Sequence, residues 1–262
     1  MLNILEEIAG KAKERVVHAK NKISLSELKS RVADHNTDTG LPFEQALRGE
    51  GLSFICEVKK ASPSKGVIAE HFPYVDIAKA YEAAGASALS VLTEPYYFQG
   101  SNEYLREIKK QVKLPVLRKD FVVDEYMIYE AKVLGADAVL LICSLLSNQQ
   151  LAEYAYLAKS IGMSALVEAH DEEEVKRAIA CNASVIGVNN RNLKDFTLEI
   201  ENSVRLRKLV PKEIVFVSES GIKTAADTKR LRENGTDAVL IGETLMRSGN
   251  IEKTLQELML NS

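Results

Sequence analysis

Apolar residues in this chain fall into short runs, separated by longer stretches in which apolar positions recur every three or four residues. YEAAGASALSVL (81–92), AKVLGADAVLLI (131–142), AIACNASVIGVN (178–189) and LRENGTDAVLIG (231–242) repeat one design. Each joins a helix end, a Gly or Asn, a small turn and an apolar strand-like run. Gly and Asn suit a helix C-terminus because they tolerate left-handed backbone. Four more apolar runs lie outside the repeat: FICEVK (54–59), LPVLRKDF (114–121), MSALVEAH (163–170) and IVFVSESG (214–221). The strand count is therefore eight. Between them DEYMIYEAKVLG, NQQLAEYAYLAKSIG, DEEEVKRAIACN and TAADTKRLRENG keep helical spacing. Asp171 with Glu174, and Thr224 with Asp227, have the cap-plus-acid form of helix starts.

Eight short strands alternating with about eight helices predict a parallel sheet with crossover helices. Strands recurring every 20 to 34 residues, with no linker between halves, favour a closed (β/α)8 barrel of the TIM class. An open doubly wound sheet usually has fewer strands and a Gly-rich first turn that is missing here. Residues 1–50 lie outside the count and read as two or three amphipathic helices, LSELKSRVADH among them. They are expected to cover one end of the barrel, as a stability cap on its floor or as a lid over its active face. Residues 1–262 are read as a single domain that includes this N-terminal helical extension.

Strand parity sharpens the picture, since alternate residues of a barrel strand point inward. Ile55, Glu57 and Lys59 fall on the inward set of the first strand, and Leu117, Lys119 and Phe121 on that of the third. The fifth contributes Leu166 and Glu168, and the sixth Gly187, Asn189 and Arg191. Val217, Glu219 and Gly221 follow from the seventh, and Leu240 and Gly242 from the eighth. The apolar residue comes first and the polar or glycine position sits at the C-terminal end, where barrel enzymes build their active sites. Six ionisable residues from five strands would share one cavity and shift each other's pKa values, the setting for acid–base chemistry.

Composition changes little in this picture but excludes several classes. The 262 residues are 46% hydrophobic and 27% charged, with a net charge of −3, which is ordinary for a soluble globular protein. Neither nucleic acid nor membrane is expected as a partner. No run approaches the roughly 18 apolar residues of a membrane span, and MLNILEEIAGKAKERVVHAK is a charged amphipathic pattern unlike a signal peptide. Cys56, Cys143 and Cys181 lack CxxC spacing and read as reduced residues of a cytoplasmic protein. His18, His35, His71 and His170 show no metal spacing, so no metal site is expected.

Two further signals concern the ligand. SESGIKTAAD follows the seventh strand and GETLMRSG the eighth, placing Ser220, Gly221, Gly242 and Glu243 where two loops feed helix starts. Barrels with phosphorylated substrates commonly hold phosphate there through backbone N–H groups. Phe121, Leu140 and Leu193 lie at or just past strand ends, where an apolar ring would pack. A ligand with a phosphate at one end and a ring at the other fits both signals.

EVKKASPSKG, PVLRKDF, LVEAHDEEE, GVNNRNLKDF, VSESGI and VLIGETLM, in this order along the whole chain, resemble the indole-3-glycerol-phosphate synthases of tryptophan biosynthesis. The resemblance implies a carboxy-lyase acting on 1-(2-carboxyphenylamino)-1-deoxyribulose 5-phosphate, with no metal or organic cofactor. It implies catalytic roles for Glu57, Lys59, Lys119, Glu168, Asn189 and Glu219. Lys119 is the leading ring-closing acid and Glu168 a candidate base, with an exchange of roles with Glu57 left open. Lys59 would bind anion or serve the dehydration, and Asn189 and Glu219 would position and tune the lysines. Ser62 and Arg191 would line the substrate end, Phe121, Leu140 and Leu193 the anthranilate ring, and Ser220, Gly221, Gly242 and Glu243 the phosphate. Cys56 and Thr244 depart from the family's frequent Ala and Ser, at positions that carry no chemistry. Physical association with another tryptophan-pathway enzyme stays open. A sugar-phosphate isomerase barrel, or a barrel that only binds a phosphate ligand, would leave the lysine pair and the ring pocket unexplained.

Overall fold

Eight parallel strands close on themselves in a computed structural model that describes residues 4–192 and 196–260. The strands are β1 (Ser53–Val58), β2 (Ala88–Leu92), β3 (Val116–Lys119), β4 (Ala138–Ile142), β5 (Ser164–Ala169), β6 (Val185–Asn189), β7 (Val215–Glu219) and β8 (Ala238–Ile241). Each pairs with its sequence neighbours, and β1 closes the ring against β8, with Ile55 opposite Leu240. All eight predicted strands are present. The left-handed residues expected after the repeat helices are there too, at Gly85, Gly135, Asn182 and Gly235.

Alternation along the strands sorts the side chains as parity predicts. Ile55, Leu117, Leu166, Val217 and Leu240 meet inside the barrel. Phe54, Cys56 and Val58 join the outer layer between strands and helices. Burying each such aliphatic side chain contributes about 1.5–3 kcal/mol, so the interior column and the outer layer jointly specify the register.

Helix starts hold one surprise. Thr224 and Asp227 form a reciprocal capping box on α10 (Ala225–Glu233), counting α1 to α12 along the chain. On α8 (Glu172–Ala180), Asp171 accepts from the Glu174 N–H, but the Glu174 carboxylate accepts from the His170 N–H instead of closing the box. After β1 the chain makes a small hairpin, Ala61–Ser62 against Gly66–Val67. The helices after β6 and β8 are short, α9 (Glu201–Leu206) and α11 (Glu243–Met246).

The N-terminal extension does both jobs that the sequence left as alternatives, using different segments. Helix α1 (Ile4–Lys22) lies across the C-terminal end of the barrel, and Arg15 makes a two-pronged ion pair with Asp120 at 2.7 and 3.1 Å. Lys20 reaches Asp124 at 2.7 Å. Helix α2 (Leu25–Ala33) packs along α6 (Glu125–Leu134). Helix α3 (Pro42–Ala46) plugs the opposite end, where Phe43 and Leu47 join the interior apolar column. Glu44 ties this plug to the strand starts. Its N–H donates to Ser164 Oγ at 3.3 Å, and its carboxylate accepts from Ser184 Oγ at 2.5 Å. Among the described residues no helix is long and apolar enough to cross a membrane.

Phe43 is fully buried at the barrel floor. Phe43→Ala is therefore expected to lower unfolding free energy by about 3–5 kcal/mol, the usual cost of emptying an aromatic site. Urea titration followed by circular dichroism measures it.

Candidate active site

Charge enters the barrel at its C-terminal end because the last inward position of each strand has no further apolar layer above it. Glu57 and Lys59 come from β1 and its exit, and their Oε1 and Nζ atoms lie 2.5 Å apart. Ser90 Oγ on β2 donates to the other Glu57 oxygen at 3.4 Å. Lys119, at the end of β3, donates to Glu168 Oε2 on β5 at 3.3 Å and to Glu219 Oε2 on β7 at 3.2 Å. Glu57, Glu168 and Glu219 are all buried.

Two glycines make this crowding workable. A methyl group at Gly187 would overlap the Glu219 carboxylate, and one at Gly242 would press on Glu57 and Lys59. Gly242, read from the sequence as a phosphate position, thus also clears space for the first ion pair.

Each charge responds to its neighbours. Burial alone would raise Glu57, but Lys59 and Lys119 hold it below the ordinary carboxylate value. Glu168 is likewise held low against its burial, by Lys119 and His170. Glu219 is left with the proton, since burial pushes it up to about 7 against the pull of Lys119, with Glu168 adding repulsion. The Lys119 ammonium is held well above its ordinary value: Glu219, Glu168 and Glu57 outweigh a desolvation that by itself would lower it. One cation between two carboxylates cannot neutralise both, and the second carboxylate takes up a proton more readily.

These groups line a cavity of about 350 Å³. Of the sequence-derived positions, Glu57, Lys59, Ser62, Lys119, Phe121, Leu140, Glu168, Asn189, Arg191, Glu219, Ser220, Gly221, Gly242 and Glu243 all face it. Leu193 lies outside the described residues. At one end Ser220 and Gly221 turn the chain through left-handed backbone, with φ of 69° and 82°. There Arg191 bridges Ser64 Oγ at 3.3 Å and Glu243 at 3.4 Å, and Arg247 also reaches Glu243 at 3.4 Å. At the other end Phe121 stands beside Phe98, with ring centroids 6.0 Å apart.

Sequence reasoning missed several lining groups. Ile4, Leu5 and Ile8 of α1 form part of the wall, as do Phe98, Phe196 and Leu198 from loops. The α1 residues lie on an i, i+1, i+4 apolar stripe, but periodicity does not say which end of the barrel a stripe covers. Lys223 and Arg247 add positive charge to the cavity lining, and Asp120 and Glu243 add as much negative charge. Asp120 was also passed over. It is fully buried, accepts from Thr93 Oγ1 at 2.7 Å as well as from Arg15, and braces the strand end that carries Lys119.

Comparison with known proteins decides the family. The profile described as indole-3-glycerol phosphate synthase matches residues 5–258. The chain belongs to the indole-3-glycerol phosphate synthase family. It is 57% identical over 255 residues to the indole-3-glycerol phosphate synthase of Ruminiclostridium cellulolyticum, covering 97% of this chain and 98% of that one. The Endomicrobium trichonymphae enzyme of the same name is 53% identical over 255 residues, covering 97% and 99%. Likeness in fold alone extends further: KGPDC from Streptococcus mutans superposes with a TM-score of 0.64 at 10% identity, covering 81% of this chain and 97% of that one.

Glu219 supplies a test by pH. Its folded value, about 7, lies above the ordinary 4.5, so the folded chain holds an extra proton between those values. That stabilisation is complete below the unfolded value and is lost as pH rises through the folded one. Glu219→Gln removes the loss, so its melting temperature should gain on the wild type between about pH 5 and pH 8. Differential scanning calorimetry across that range reads the difference.

Proposed function

We propose that this chain closes, decarboxylates and dehydrates 1-(2-carboxyphenylamino)-1-deoxyribulose 5-phosphate to indole-3-glycerol phosphate, carbon dioxide and water. The observation that carries the reading is one lysine, Lys119, set between two buried carboxylates on the wall of a cavity that is charged at its base and apolar at one end. The reaction belongs to tryptophan biosynthesis and makes the chain a carboxy-lyase.

The substrate's anionic phosphate is assigned to the turn at Ser220 and Gly221 and the start of α11 at Gly242 and Glu243. Arg191, Lys223 and Arg247 supply positive charge there. Its aromatic ring is assigned to the wall of Phe121 and Leu140, with Leu193 of the adjoining loop. This end-to-end grip places the ketone between Lys119 and Lys59.

In the first step the ring carbon bearing the carboxylate attacks the ketone carbon, and Lys119 protonates the ketone oxygen as it becomes a hydroxyl. Lys119 is protonated at any working pH because its carboxylate neighbours hold the charge. It still gives up the proton because the alkoxide forming in front of it is a stronger base than an amine. Loss of carbon dioxide then restores the aromatic ring. Dehydration needs one proton removed and one given. Glu168 is assigned as the base and Lys59, held by Glu57, as the acid. Glu219 and Asn189 position the Lys119–Glu168 pair. All of these steps use side chains of the chain itself, in a cytoplasmic protein.

The extension and barrel are further proposed as one domain spanning residues 1–262. Its support is that α1 contributes Leu5, and α3 Phe43 and Leu47, to the same interior apolar column as the strands.

Mixing the protein with the carboxyphenylamino-deoxyribulose phosphate should produce indole fluorescence, and a flat trace from folded protein would sink the reading. Lys119→Ala should lose at least ~100-fold in kcat while still binding product within a few-fold, as expected for removal of a general acid. Glu168→Gln and Glu57→Gln should each move or abolish one limb of the pH–rate profile, and whichever removes the acidic limb of kcat is the base.

A further inference from the structure

Proton counting across the proposed reaction leaves an imbalance. Ring closure turns a ketone into a hydroxyl and the carboxylate leaves as carbon dioxide, so this half consumes the proton that Lys119 gives. Dehydration removes one proton and returns one. Each turnover therefore draws one proton from solvent, and Lys119 is where it is needed. The main cavity is roofed by α1 and filled by substrate during the reaction, which makes its mouth a poor entry for that proton.

Behind Glu168 lies a second cavity, of about 460 Å³, on the far side of the β5–α8 turn. Among the described residues Glu168 lines only the first cavity and His170 only the second. His170 stands between the two spaces. Its Nε2 lies 3.4 Å from Glu168 Oε1, and its Nδ1 lies 3.0 Å from Glu174 Oε2. The other Glu168 oxygen, Oε2, is the one that accepts from Lys119. Nε2 is buried, and 3.4 Å is too poorly aligned to count as a hydrogen bond, so Glu168 is a near neighbour without being a formal partner. The Glu174 carboxylate is held in turn by the His170 backbone N–H at 2.8 Å. That contact explains why the expected capping box on α8 does not close.

We propose that His170 is a relay residue through which the proton consumed in each turnover passes from the second cavity to Glu168 and on to Lys119. This rests on the assignment of Lys119 as the ring-closing acid. After ring closure Lys119 is a neutral amine. The charged imidazole gives its Nε2 proton to Glu168 Oε1, and the carboxyl group then rotates to present that same proton to Lys119 Nζ, which takes it. Glu168 is then a carboxylate again, ready to act as base in dehydration. The ring, left neutral with its Nδ1–H still donated to Glu174, turns to bring Nε2 to the second cavity and there regains a proton from solvent. No co-reactant other than water enters.

The charges around the ring favour this use. Glu168 and Glu219 face it from the barrel with Lys119 behind them, Glu174 and Asp171 come from the start of α8, and Arg191 and Glu199 lie across the second cavity. Burial alone would lower the ring's pKa, but Glu174, Glu168 and Glu219 raise it above the ordinary value. The charged form of the ring is favoured accordingly.

The test is the pH dependence of kcat for His170→Asn, His170→Ala and Glu174→Gln, with the carboxyphenylamino-deoxyribulose phosphate as substrate. His170→Asn should lose about 10- to 100-fold in kcat with KM nearly unchanged, the scale of one proton-transfer group. Added imidazole should restore part of the rate in His170→Ala. Glu174→Gln keeps an acceptor for Nδ1 but removes a charge that holds the ring protonated, so the alkaline limb of kcat should move to lower pH. A wild-type profile in His170→Asn, a loss equal at all pH values and untouched by imidazole, or an unmoved limb in Glu174→Gln would each overturn the relay. Lys119→Ala in the same assay separates the two claims. If it turns over freely the acid assignment falls and the relay with it, whereas a dead Lys119→Ala beside an unaltered His170→Asn removes the relay alone.

Discussion

The Lys119 ammonium, shared between two buried carboxylates, is the interaction on which the rest of the active face depends. Bringing three charged groups out of water is costly, and each is tolerable only while the others are in place. Backbone register makes the arrangement unavoidable. Glu168 on β5 stands opposite Gly187 on β6, and Asn189 on β6 stands opposite Glu219 on β7. A side chain at 187 would occupy the volume that the Glu219 carboxylate needs to reach Lys119. Burial, with repulsion from Glu168, pushes Glu219 up to about 7, and the surplus negative charge keeps Lys119 firmly charged. Lys119, Glu168 and Glu219 are thus one electrostatic unit.

Support for that unit comes from outside the barrel as well as from within. Asp120 follows Lys119 directly and is fully buried, bonded to Thr93 and to Arg15 of α1. Arg118, on the other side of Lys119, is buried with Glu130 at 2.6 Å and the Met127 carbonyl at 2.9 Å. The strand end that carries the lysine is consequently held on both flanks by paired charges. At the opposite pole α3 fills the floor with Phe43 and Leu47, so the apolar column beneath the charges is closed to water.

Much of this was legible in the residues. Period-two alternation placed Glu57, Lys119, Glu168 and Glu219 on the inner wall because a strand offers only two faces, and an apolar first residue declares which one is inside. The helix–Gly–strand repeat located the strands because left-handed caps are chemically distinctive. What stayed hidden was relative placement over long sequence distances. Nothing local in α1 or α3 says which pole each covers, and the contacts that decide it, Arg15 with Asp120 and Glu44 with Ser184, span more than a hundred residues. The same limit hid His170. Its sequence neighbours mark a strand end and a helix cap, and only the fold sets its two nitrogens toward two different cavities.

The contacts of α1 differ in kind along its length, and so does their response to salt. Arg15–Asp120 is sheltered on the aspartate side, whereas Lys20–Asp124 is partly exposed and the Tyr97–Glu7 bond is exposed. Salt weakens exposed charge pairs, with a screening length of roughly 8 Å at physiological ionic strength, and acts much less on buried ones. The outer fastenings therefore loosen with ionic strength while the inner one does not. The fastening of α1 that salt weakens least is therefore the one that also secures the strand end carrying Lys119.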